Sequence, residues 1–126
     1  MHWRGAFALA AVTLAADAQA APLPRHVGQC AVTRIKDVET RLQDGDQPVP
    51  DSGSAVQFVN GGYQVSYETV RAITHSRAGD PVRMCLIVIP RPCPPGDHRG
   101  RIYKTTNLRT HGSWTLPDSE HSCGGA

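Results

Sequence analysis

Four cysteines, Cys30, Cys85, Cys93 and Cys123, constrain the fold of this 126-residue chain more than any other feature. In a short exported chain an even number of cysteines reads as a disulfide framework. Two bridges would each contribute about 2–4 kcal/mol, a large part of a net stability of about 5–15 kcal/mol. Three pairings are possible. We favour Cys30–Cys85 with Cys93–Cys123, although spacing alone does not choose among them. The spacings of 55, 8 and 30 residues contain no C-x-x-C pair, so structural bridges are expected rather than zinc ligands.

Disulfides need an oxidising compartment, and the N-terminus reads as the means of reaching one. Met1-His2-Trp3-Arg4 forms a short segment with one fixed positive charge. Residues 6–16 are apolar apart from Thr13, and Ala18-Gln19-Ala20 offers the small-x-small pattern that a signal peptidase cuts. The apolar run is too short to cross a bilayer about 30 Å thick as a helix, and no later segment reads as transmembrane. Gln29 before Cys30 is not the small residue a lipidated cysteine follows. The expected organisation is a signal peptide over residues 1–20, an extended and loosely held tail over 21–28, and one β domain over 29–126. A periplasmic or extracellular location follows. The net charge of +2 survives cleavage, because Arg4 and Asp17 leave together. That balance gives no footprint for nucleic acid.

The mature chain reads as short strands separated by turn signals. Residues 30–42 are rich in β-branched side chains, which favours a strand broken by a bulge near Lys36-Asp37. Residues 43–53 carry the breakers of a loop. Asn60-Gly61 lies between two alternating runs, a hairpin signal. A two-residue turn there sets Val59 against Gly62, Phe58 against Tyr63, Gln57 against Gln64 and Val56 against Val65. The Gln57/Gln64 pair would then lie on the face opposite the apolar pairs. Residues 68–78 allow a single helical turn. Residues 82–89 form the most apolar run and read as a central strand covered on both faces. Prolines 90, 92, 94 and 95 end it. Residues 102–107 and 112–116 read as a pair across a turn near Arg109. The expectation is a mainly β fold with little helix: a small antiparallel barrel, SH3-like or OB-like, or a sandwich, braced by disulfides.

The candidate binding residues are Asp97, His98, Arg99 and Arg101, in a loop stiffened by prolines and a cysteine. A rigid loop lowers the entropy cost of binding, and arginine recognises carboxylate or sulfate through its planar fork. Asp118-Ser119-Glu120-His121 holds the letters of a hydrolase triad, but neighbours in sequence cannot adopt triad geometry, and Ser119 lacks a nucleophile-elbow context. Asp118 and Ser119 read as turn formers. His98, His111 and His121 lack the short spacing of metal ligands, and Asp44, Asp46 and Asp51 lack the alternation of a calcium loop. Trp114 reads as a core residue. No catalytic residue, metal or cofactor is assigned. The expected function is a non-catalytic binding or inhibitor module, acting as a monomer on an envelope or extracellular protein. The alternatives are a small hydrolase or metal-dependent enzyme using His98 and His121, or a structural envelope protein without ligand.

Overall fold

The computed structural model describes His2 and residues 5–12 and 21–125. Residues 5–12 take no regular structure, and the Ala18-Gln19-Ala20 cleavage site lies outside the described residues. The chain is mainly β. Its strands are β1 (Cys30–Thr40), β2 (Gln43–Asp44), β3 (Gln47–Pro48), β4 (Ser54–Phe58), β5 (Tyr63–Ser66), β6 (Pro81–Val88), β7 (Ile102–Asn107) and β8 (Ser113–Pro117), with one helical turn, α1 (Arg71–Thr74), before β6. Six of the strands form one antiparallel sheet in the order β5-β4-β1-β6-β7-β8, which curls into a half-barrel. β2 and β3 form a separate small hairpin, turned at Gly45, inside the segment expected to be loop.

β1 is long because it serves both halves of the sheet. Its first residues pair with β6, and those from Ile35 onward pair with β4. A register shift between Ile35 and Asp37 marks the bulge that re-aims the strand. The core forms on the concave face. Ile35, Val56, Phe58, Ile73, Val82, Met84, Leu86, Tyr103 and Trp114 pack together there, each almost fully removed from water. α1 contributes Ile73 to this core.

Three expectations need correction. The β4–β5 hairpin pairs Gln57 with Tyr63 and Val56 with Gln64, one residue away from the predicted register. The loop has three residues, not two. Gly61 N–H donates to Phe58 O, Phe58 N–H donates to Gly62 O, and only Gly61 takes a positive φ, at 87°. This is a type I turn closed by a left-handed glycine, so Asn60 needs no unusual backbone angle. Its side-chain oxygen instead accepts Gly62 N–H at 3.1 Å. The slip carries Gln64 into the core.

β6 is covered on one face only: Val82, Met84 and Leu86 are buried, whereas Arg83, Ile87 and Val88 are exposed. An antiparallel sheet needs only one covered face. Residues 21–27, finally, are not loosely held. Ala21 N–H donates to Val32 O, Asn60 Nδ2 donates to Ala21 O, and Pro24 is buried with its carbonyl facing Tyr103 Oη.

β5 and β8, the two ends of the sheet, approach one another without a backbone ladder between them. Gln64 bridges the gap. Its Nε2 donates to Tyr103 O at 2.8 Å and Leu116 O at 3.0 Å, and its Oε1 accepts Thr105 Oγ1 at 2.6 Å and Trp114 Nε1 at 2.9 Å. A buried amide is tolerable only when its donors and acceptors are matched in this way. A second polar network joins the loops at one end. Asp80, almost fully buried, accepts from Arg109 Nε at 2.6 Å and Nη2 at 2.9 Å, from Asn107 Nδ2 at 2.9 Å and from Arg77 N–H at 3.0 Å. The Arg109 guanidinium holds the Asp80 carboxyl well below the usual carboxylate range, against the opposing effect of burial.

Candidate functional site

The loop between β6 and β7 carries the residues singled out from sequence. Its prolines cannot donate to a ladder, so the chain leaves the sheet after Val88. Two devices then fasten the loop to the C-terminal segment. One is the Cys93–Cys123 disulfide, with Cα atoms 5.3 Å apart. The other is Asp97, which accepts from Arg99 Nε at 3.0 Å and Nη2 at 2.9 Å, and from Gly124 N–H at 3.0 Å. The Arg99 fork pulls the Asp97 carboxyl well below its ordinary range, and Gly124 N–H adds to the effect. Arg99 Nη2 also donates to Gly125 O, and Arg99 O accepts Cys123 N–H. At Gly100, φ is 93° and a Cβ would meet Ser122 Cα at 2.9 Å, so this crossing of the two segments needs glycine.

Asp97 and Arg99 are therefore engaged within the loop, while His98 and Arg101 reach a cleft of about 680 Å³. Residues 22–25, which bring Arg25, line it as well, together with Asn60, Tyr103 and Asp118. Arg101 Nη2 lies 3.3 Å from His98 Nδ1, a contact that is a hydrogen bond when Nδ1 carries no proton. Arg101 Nε is buried and meets no acceptor among the described residues. Asp118 Oδ1 accepts Gly100 N–H at 2.8 Å. Burial pushes the Asp118 carboxyl up, and the Gly100 and Arg101 backbone donors and the Arg101 charge only partly oppose this. Burial also pushes the Tyr103 hydroxyl up, with the Asp118 charge adding to it.

Ser119 lies in a shallower groove beside the cleft, with His98 and Asp118. Its hydroxyl donates to His121 O at 2.7 Å and accepts His121 N–H, so it closes its own turn. His121 is exposed and does not line the cleft with His98. Among the described residues, no three His, Cys, Asp or Glu side chains gather to hold a metal.

The sequence singles out His98 and Arg101, whereas Arg25 reads as part of a tail, Asn60 as part of a turn, Tyr103 as part of a strand and Asp118 as a turn former. These residues come from four distant segments. No local pattern announces their meeting, and the Asp118 side chain, read as closing a local turn, accepts from Gly100 N–H across the fold instead. The chain matches no family model, no curated protein and no solved structure.

Proposed function

We propose that this small disulfide-bonded β protein is a non-catalytic binding module, exported through its N-terminal leader with cleavage near Ala20. Its cleft takes an acidic group presented by an envelope or extracellular partner. One observation carries the reading. Arg101 and His98 line a cleft from a loop pinned by its own ion pair and by a disulfide, and Arg25 lines the same cleft. Such a group is held in place before any ligand arrives, which reduces the entropy lost on binding. Two arginines suit a carboxylate through charge-assisted hydrogen bonds. The two disulfides fit an extracellular or periplasmic protein.

The test is a titration followed by NMR, using a short peptide with a free C-terminal carboxylate and its amidated twin. The free acid is expected to shift the resonances of His98, Gly100 and Arg101, and the amide is not. Arg101→Ala should weaken binding about tenfold, equivalent to roughly 1.4 kcal/mol. Equal response to acid and amide, or unchanged affinity in a folded Arg101→Ala variant, would remove the cleft as the binding site.

A further inference from the structure

The outer face of the sheet carries a second array of charge, on the side turned away from the buried core. Register places it. Val32 on β1, Arg83 on β6 and Thr106 on β7 lie directly opposite one another. Arg34 is two residues beyond Val32, and Lys104 is two residues before Thr106. β1 and β7 are both antiparallel to β6, hence parallel to each other, so these two steps lead to opposite ends of the sheet. Arg34, Arg83 and Lys104 therefore form a straight diagonal across three neighbouring strands. Successive positions on such a diagonal are about 7–8 Å apart.

All three side chains are exposed, whereas Ala31, Thr33, Val82, Met84, Tyr103 and Thr105 alternate with them toward the interior. Arg34 gives one donor to Gly79 O, and Arg83 and Lys104 make no ion pair among the described residues. No acid points outward from this part of the sheet; Asp37 comes only after the bulge in β1. The whole chain has a net charge of only +2, so the stripe reflects segregation of charge rather than a basic protein. The Cys30–Cys85 bridge lies between β1 and β6 on this same face, beside Arg83 and Lys104, and ties the two strands.

We propose that this face docks a linear acidic polysaccharide, a chain of uronate units whose carboxylates follow the Arg34–Arg83–Lys104 diagonal. Charge complementarity selects a polyanion, and its straight run selects an extended chain. Among the described residues the face has no aromatic side chain, so it lacks the stacking platform of a single-strand nucleic-acid binder. Its strands are hydrogen-bonded on both sides where the diagonal crosses β6 and β7, so a peptide finds no edge to extend. The disulfides fit a protein outside the cytosol, where acidic glycans are the common linear polyanions.

The experiment is a binding titration of the folded protein with polygalacturonate at low and at moderate salt. The original sequence is expected to bind and to lose affinity as salt rises, through screening. Replacing Arg34, Arg83 and Lys104 together by Gln should weaken binding at least tenfold and flatten the salt dependence. A control with Arg71, Arg77 and Arg91 replaced by Gln loses the same net charge and should bind as before. The single charge reversal Lys104→Glu gives a second reading, with thermal unfolding to confirm the fold of each variant. Absence of binding, equal weakening in the control, or tighter binding of a single-stranded oligonucleotide or polyglutamate would overturn the proposal. Binding that survives in the Arg101→Ala variant separates this surface from the cleft.

Discussion

Gln64 uses every hydrogen-bonding position of its side-chain amide inside the core, two donors and two acceptors. Gln64→Leu would leave Trp114 Nε1 and Thr105 Oγ1 without their acceptor, while the Tyr103 and Leu116 carbonyls would lose one of their two donors. Unsatisfied buried groups each cost about 1–3 kcal/mol. Some relaxation is expected, so the variant should lose about 3 kcal/mol in urea unfolding. Asp80 supplies a pH-dependent counterpart. Its carboxyl is held below the ordinary range by Arg109. The stability it provides is therefore complete above about pH 4, the ordinary value for an unfolded aspartate, and is lost as pH falls toward its folded value. Asp80→Asn should cost about 2–3 kcal/mol at neutral pH, since Arg109 stays partly exposed. Melting temperatures of the two proteins should converge as the pH is lowered from 5 to 2. Neither residue could be identified from the sequence. A polar side chain in an alternating run points inward or outward according to register, and Asp80 sits in a Gly-Asp-Pro turn that looks like any other.

At the scale of elements, most of the strands were legible and one register was not. The bulge in β1 explains why Ile35 and Val38 are three apart yet both face the core: one extra residue turns a period of two into three. The same spacing would suit a helix face, and β-branching decided between them. The hairpin failed because Asn-Gly serves both two-residue and three-residue loops. The better cross-strand match of apolar side chains then pointed to the wrong one. What the pattern could not include was the use of Gln64 at the seam. Two glycines test the local account. Gly61 has positive φ and open space around its missing Cβ, so Gly61→Ala should cost about 1 kcal/mol. Gly53 also has positive φ, but its Cβ would collide with the backbone of Ser66 and Tyr67. Gly53→Ala should cost well above that, in the range of about 4 kcal/mol that marks severe disruption. Denaturant midpoints of the two variants measure the difference.

For the molecule as a whole, the sequence conveyed the class of fold and the reliance on disulfides, whereas the cleft emerged only from long-range assembly. Arg25, Asn60, Arg101 and Asp118 meet because the segment before β1 folds back over the end of the half-barrel. The Cys93–Cys123 bridge closes a separation of 30 residues. Replacing both cysteines by Ser should cost roughly 3–4 kcal/mol in the chain-entropy model, and the loop would be held to the C-terminal segment by hydrogen bonds alone, among them Gly124 N–H to Asp97 and Gly100 N–H to Asp118. A half-barrel whose ladders join five strand pairs but leave β5 and β8 unpaired also has a built-in parting line. Breathing motions that unzip the protein should begin there, as a coat opens at its buttons and not through the cloth. Deuterium should then reach the amides of β5 and β8 sooner than those of β1, β6 and β7, and a mutation at the fastening amide should widen that gap without changing the order.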